Sequence, residues 1–199
     1  MEQQKQLTIA VIVGTTREKR ESIKAARYIA DYGKRFKYTN VVFVDPKEFY
    51  FPGDGNDPEG KDHRYTDITQ SADAFFIITP EYNHSFPGTL KRMLDSELEN
   101  YIHKPVALAG ASNGGWGGVR AVEALVTVVR EMGLVATSYS VYFPRVQDLF
   151  NDEGSIKEEF RERYEKNLLE AYKELLWFAH ILKDARENFR FELGDNTIT

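Results

Sequence analysis

The stretch "ITPEYNHSFPGTLKRML", residues 78–94, follows the apolar run "AFFII" at residues 74–78, and its reading decides the fold. Pro80 has no N–H to give to a sheet ladder, so a strand ends there. Asn83 or Ser85 can cap a helix that opens near Phe86, and Pro87 is tolerated in a first helical turn. A strand-to-helix turn needs no more than that. It does not need Glu81, Tyr82 and Asn83 in a row. Those three offer an acceptor, an aromatic face and an amide, which suits the edge of a planar heterocycle.

Working outward, the same alternation repeats. Residues 7–13 ("LTIAVIV"), 40–45 ("NVVFVD"), 74–79, 104–110 ("KPVALAG") and 134–143 ("LVATSYSVYF") are short apolar runs that predict five strands. Helical spacing falls between them, over residues 22–36, 65–72, 86–100 and 119–132, with Gly133 as a stop. Residues 49–64 are dense in Gly, Pro and Asp and predict a long surface loop. Beyond them Ile156, Phe160, Tyr164, Leu168, Tyr172, Leu176 and His180 recur at every fourth position. That stripe predicts a helix over residues 155–186, roughly 45 Å if unbroken, which must break or project beyond a small sheet. Strands alternating with helices predict an α/β domain, a parallel sheet with helices on both faces. One domain is expected over residues 1–199, with 1–6 and 187–199 flexible or packed on a partner.

Composition narrows the function. The chain has 199 residues, 42% of them hydrophobic and 29% charged, which suits one globular core. It has no cysteine, so disulfides, thiolate catalysis and cysteine-ligated metals are excluded, and a reducing cytoplasm is the expected compartment. A net charge of −5 argues against a nucleic-acid partner or an anionic membrane surface. No apolar run is long enough to span a bilayer. His63, His84 and His103 lack metal-ligand spacing, and no metal is expected.

In a parallel sheet of this kind ligands bind beyond the carboxyl ends of the strands. Three loops of unusual composition leave those ends. "GTTREKRES", residues 14–22, enters a helix N-terminus, where backbone N–H groups favour an anion. Thr15, Thr16 and Ser22 add hydroxyls, and Arg17 adds a fork for phosphate oxygens. The second loop is the opening stretch. The third, "GASNGGWGGVRA" at residues 110–121, presents Gly114, Gly115, Gly117 and Gly118, where backbone can approach a ligand closely. No Walker lysine and no G-x-G-x-x-G is present, which disfavours a nucleoside triphosphate or a dinucleotide Rossmann site.

Together the three segments resemble the NAD(P)H-dependent FMN reductase family, flavodoxin-like enzymes that include quinone and azo-dye reductases. The family pattern G-S-x-R, then P-E-Y-N-x-x-x-P-G-x-L-K, then S-x-G-x-x-G-G-x-R, reads here "GTTR", "PEYNHSFPGTLK" and "SNGGWGGVR". "LLWFAHILKDAR" is similar to the family's closing helix. The resemblance implies a flavodoxin-like three-layer sandwich with strand order 2-1-3-4-5, bound FMN and NAD(P)H as co-substrate. It implies that Thr15, Arg17, Ser22 and the backbone at Ile23 hold the FMN phosphate. Pro80, Glu81, Tyr82 and Asn83 would wall one side of the ring, and Ser112, Gly114 and Gly115 the other. It also implies a homodimer or homotetramer and a small-molecule electron acceptor. Thr15 replaces the usual Ser. The interval from Arg17 to Ser22 is long, so Arg20 is a second candidate for the phosphate. Arg92 stands where Asn is common and Ser96 where an aromatic is common, positions that bear on the dimer contact or the pocket floor.

The expected mechanism is a two-step hydride relay through the flavin, without a protein acid or base, and no catalytic residue is named. Two alternatives stay open. A flavodoxin-like electron carrier would share the fold. A serine hydrolase would use Ser112 in "GASNG", which fits G-x-S-x-G, with Asp148 and His180 following in hydrolase order.

Overall fold

Apolar side chains fill Leu7–Val13 (β1) and Ala74–Pro80 (β3) almost without a polar break, and both strands are buried on both faces. They pair in parallel, from Ile9 opposite Ala74 to Val13 opposite Ile78. Thr39–Val44 (β2) lies on the outer side of β1, and Pro105–Ser112 (β4) lies beyond β3. The computed structural model describes residues 5–189 and the backbone of Phe191–Leu193 and Asn196–Ile198. Its helices are Ser22–Gly33 (α1), His63–Ser71 (α2), Gly88–Asp95 (α3), Val119–Glu131 (α4), the short Val146–Leu149 (α5) and Glu158–Asn188 (α6).

The fifth strand position is divided, where the sequence predicts one run. Val135–Ala136 (β5) pairs with the start of β4, and Val141–Pro144 (β6) with its end. The sheet order is therefore β2-β1-β3-β4-β5, with β6 also on β4. Between the pairs Val106–Ala136 and Ala109–Val141 this side takes five steps to three on β4. The two extra residues bulge outward. The Ser138 and Tyr139 N–H groups donate to the Glu174 carboxylate at 3.1 and 2.9 Å, and the Ser138 hydroxyl does so at 2.8 Å.

Alternate side chains of each strand enter opposite cores. Val11, Phe76 and Ala109 meet α1 and α6, while Ile12, Phe75, Ile77 and Leu108 meet the layer of α2, α3 and α4. The long stripe does not break. α6 runs 31 residues, about 46 Å at 1.5 Å per residue. Tyr164, Leu168, Tyr172, Leu175 and Ala179 are buried along it, and Trp177 and Ile181 are exposed. Its last turns reach the amino edge of the sheet. There Lys183 donates to the Gln6 carbonyl at 3.1 Å and to Asp73 at 2.9 Å, and Asp73 accepts the Thr8 N–H at 2.8 Å. Beyond it Phe191–Leu193 (β7) and Asn196–Ile198 (β8) form an antiparallel pair. The expectation for residues 1–4 lies outside the described residues. No described helix is long and apolar enough to cross a membrane.

Candidate functional site

The first loop starts where β1 leaves the sheet. A Cβ on Gly14 would lie 2.7 Å from the Ile78 carbonyl oxygen, so only glycine fits so close to β3. Thr15 is buried. Its Oγ1 accepts the Arg17 N–H at 3.2 Å and shares a hydrogen bond with the Tyr82 hydroxyl at 3.0 Å, which ties the first loop to the second. α1 begins at Ser22, as the sequence predicts. Ser22 is 4% exposed, and its hydroxyl has no hydrogen-bond partner. The Ile23 N–H reaches the Arg20 carbonyl at 3.4 Å. The two arginines differ. Arg17 is exposed, with its guanidinium 6.0 Å from the centre of the Tyr82 ring. Arg20 is tied down: it donates to the Thr15 carbonyl at 2.5 Å and pairs with Asp45 just after β2, the two side chains 8% and 13% exposed.

The second loop is a two-residue turn. Asn83 and His84 have φ of 51° and 66°, and the Tyr82 and Ser85 backbones exchange hydrogen bonds of 2.8 and 3.0 Å. Left-handed backbone at both central positions is the mirror-image hairpin turn that asparagine tolerates best. Asn83 is exposed, and the turn by itself accounts for it. Neither Asn83 nor Ser85 caps the following helix. α3 opens at Gly88, with Pro87 at the cap and no side-chain cap bond, two residues later than the sequence predicts. The Glu81 N–H donates to the Ala111 carbonyl at 3.1 Å. One Glu81 oxygen pairs with Arg120 at 2.6 to 2.7 Å, and the other is buried without a partner.

The third loop packs its later glycines against β4. Gly118 has φ of 86°, and a Cβ there would lie 2.6 Å from the Ala111 nitrogen. Gly114 and Gly115 face open space instead, with nothing within 4 Å of an added Cβ. The Ser112 hydroxyl donates to the Gly114 carbonyl at 3.0 Å, and Trp116 is exposed. No helix starts until Val119, so Ser112 does not stand on a nucleophile elbow.

The loops enclose a cavity of about 220 Å³. Arg17, Arg20, Ser22, Pro80, Glu81, Tyr82 and Ser112 line it, all of them named from sequence, Arg20 as the second candidate beside Arg17. Thr15 reaches it through Tyr82, while Ile23, Asn83, Gly114 and Gly115 do not line it. Lys19, Glu21, Ala111, Asn113 and Val146 line it and were not anticipated. Arg120 was also missed as a site residue. Its only signal was its place at the end of the third motif, and its partner lies 39 positions earlier. Arg92 and Ser96 do not reach this cavity. Arg92 binds loop carbonyls, and the buried Ser96 hydroxyl donates to the Met93 carbonyl at 2.7 Å.

A five-position parallel sheet between helical layers, with a polar cavity over its carboxyl edge, defines a flavodoxin-like protein. Among solved structures the chain resembles FerB, a flavoenzyme NAD(P)H:(acceptor) oxidoreductase from Paracoccus denitrificans, with a TM-score of 0.68 at 23% identity, covering 86% of this chain and 97% of that one. The sequence profile of NADPH-dependent FMN reductases matches residues 7–148, and the chain belongs to that family. It is 29% identical to an NADPH azoreductase of a Bacillus species over 120 residues, 60% of this chain and 66% of that protein. It is 26% identical to a quinone reductase of Pseudomonas putida over 161 residues, 77% of this chain and 87% of that protein.

Proposed function

We propose that the protein is an FMN-dependent NAD(P)H oxidoreductase that passes hydride from the nicotinamide, via bound FMN, to a small-molecule flavin, quinone or azo acceptor. The observation that carries this is the Ser22 hydroxyl, buried without a partner at the start of α1 and beside Arg17 in the cavity. A buried hydroxyl left unpaired costs about 1–3 kcal/mol, and a phosphate oxygen at a positive helix end would satisfy it. The residues fit FMN in a second respect. Nothing lies within 4 Å of a Cβ added at Gly114 or Gly115, which follow Ser112 and Asn113 of the lining, so their backbone is open to close approach by a flat ring.

In this reading Thr15, Arg17, Ser22 and the backbone at Ile23 hold the phosphate. Pro80, Glu81, Tyr82 and Asn83 wall one side of the ring, with Ser112, Gly114 and Gly115 on the other. When bound, FMN supplies the two-electron chemistry. The chain's own residues position it. Arg120 fixes Glu81, and Glu81 holds its strand end to β4 through Ala111. Thr15 and Tyr82 join the phosphate loop to the ring loop. No side chain is assigned a proton to move. The reading includes a cytoplasmic location, where NAD(P)H is available as reductant, and a homodimer or homotetramer. Leu98 and Ile102, both more than 40% exposed beside α3 and α4, support self-association, which light scattering on the purified protein measures.

The test is to titrate the purified protein with FMN, follow flavin absorbance and fluorescence quenching, and then measure NADH and NADPH oxidation with a quinone added. Stoichiometric binding and turnover are expected. A folded protein that takes up no FMN overturns the proposal. A protein that binds FMN but oxidises neither nucleotide without a separate reductase is an electron carrier instead.

A further inference from the structure

Five charged side chains line the cavity: Arg17, Lys19, Arg20, Glu21 and Glu81. Three of them are already paired. Arg20 pairs with Asp45. Glu21 lies 2.9 Å from Lys24 on the same helix, an ion pair without hydrogen-bond geometry. Glu81 pairs with Arg120 at 2.6 Å. Each pair brings one positive and one negative charge, so the three cancel. Arg17 and Lys19 are left. Both are exposed, and neither has an ion-pair partner among the described residues. Their neighbour Glu18 does not offset them, since it pairs with Lys47 at 2.6 Å. Arg17 belongs to the family motif. Lys19 does not: it falls in the long interval between Arg17 and Ser22.

A second observation points the same way. The Ser22 hydroxyl, 4% exposed and without a partner, belongs to the same lining and stands at the first residue of α1. Glu21 precedes it at the cap, yet its side chain makes no bond to the helix N–H groups. Those donors and the positive helix end are therefore free for an anion. The cavity thus presents two uncompensated cations and a set of donors. A phosphate monoester in its doubly ionised form answers both, with two negative charges and three acceptor oxygens.

We infer that the site selects a phosphate monoester in its doubly ionised form, and that Lys19 is a binding residue that supplies the second positive charge. The inference rests on the FMN reading and adds a regulation to it: the protein holds its cofactor least where the phosphate carries one charge. A phosphate monoester gives up its second proton near pH ~6, and below that one cation of the site is left uncompensated. FMN affinity should therefore rise about tenfold from pH 5 to 7.5 and then level off. The other charged groups of the packed segments are few. Asp45, Lys24 and Arg120 are held in the pairs above. His84 in the Tyr82 turn, and Arg145 and Asp148 on either side of Val146, do not line the cavity. Riboflavin has the same ring and ribityl chain without the phosphate, so it reports whatever these groups do to binding.

The test titrates FMN and riboflavin, by flavin fluorescence from pH 5 to 7.5, into the wild type, Lys19→Met, Lys19→Arg and the double variant Glu18→Gln/Lys19→Met. Lys19→Met should weaken FMN binding at pH 7.5 about tenfold and flatten its pH profile to below about threefold. Riboflavin binding and the urea midpoint should not change, because Lys19 is exposed and unpaired. Lys19→Arg should keep both the affinity and the profile. The double variant restores the net charge but not the contact, and it should stay weak. FMN affinity of Lys19→Met within about twofold of wild type overturns the inference. So does a pH profile that riboflavin shares, or recovery in the double variant, which would make Lys19 one part of a diffuse field. A wild type that takes up neither flavin overturns the flavin reading instead. Calorimetry with inorganic phosphate at pH 7.5 then decides the charge match: binding that Lys19→Met loses upholds it, and phosphate bound by neither protein, or equally by both, overturns it.

Discussion

Ser22 carries an unpaired hydroxyl in the interior. Replacing it separates two effects. Ser22→Ala removes an unsatisfied group from the FMN-free protein, so its unfolding midpoint in urea should hold or rise slightly. On the proposed reading the same change removes a donor to the FMN phosphate, and FMN affinity should fall about tenfold, or ~1.4 kcal/mol. Fluorescence titration with FMN and with riboflavin checks it, since riboflavin lacks the phosphate and should bind both forms alike. Arg20 and Asp45 make a different prediction. Their pairing is largely buried and holds the Thr15 carbonyl, so it shapes the first loop from the floor of the cavity that Arg20 also lines. Breaking a buried pair typically costs roughly 3–5 kcal/mol, so Arg20→Met and Asp45→Asn should each destabilise the fold. The double variant should be no worse than the worse single one, and chemical denaturation of all four proteins completes the cycle. Arg17→Met should leave stability intact and weaken FMN alone.

At the scale of elements, the amino edge of the sheet holds a buried lysine. Lys104 donates to the Thr69 and Gln70 carbonyls at the end of α2, at 2.8 and 3.1 Å, with no carboxylate bonded to it. Burial, with help from nearby Arg186 and against Asp73, lowers its pKa from 10.5 to about 8. The unfolded chain therefore binds this proton more tightly than the folded one. Stability should rise with pH from about 8 toward 10.5 as the folded lysine gives up its charge. Buried tyrosines oppose the rise near its top. Burial pushes Tyr28 up to about 12 and raises Tyr65 and Tyr172, so above pH ~10 their unfolded forms ionise first and stability falls. Urea midpoints measured from pH 7.5 to 10 should climb for the wild type and stay flat for Lys104→Met. The divided fifth strand belongs to this scale too. Its apolar run was legible, but the break was not, because the carboxylate that serves the bulge comes from Glu174, 35 positions away.

For the whole molecule, the union of α1 with α6 against the sheet is the decisive packing. Tyr172 is buried among Tyr32, Phe36 and Phe76, and its hydroxyl donates to the Ile29 carbonyl at 2.8 Å. A Cβ on Gly33 would lie 2.4 Å from that hydroxyl. Gly33→Ala should destabilise the protein by about 1–3 kcal/mol through overpacking, with an unchanged denaturant slope, and adding Tyr172→Phe should recover part of the loss. A Gly33→Ala protein as stable as wild type would mean that the two helices have room to move apart.

The sequence by itself determined the local terms: five apolar strand positions, the helices between them, and three loops bearing the family's motifs. These follow from periodicity, turn chemistry and residue type, which act over a few neighbours. It also placed Ser22 at the first turn of α1 and Pro80 at the end of β3. Only the tertiary structure decided which arginine is left exposed at the cavity, what Glu81 pairs with, and what Arg92 holds from α3. Each depends on a partner brought near by the sheet: Asp45 for Arg20, Arg120 for Glu81, and carbonyls 32 to 40 positions away for Arg92. A charge in a sequence carries no direction, and the fold supplies it by deciding which groups lose their water together.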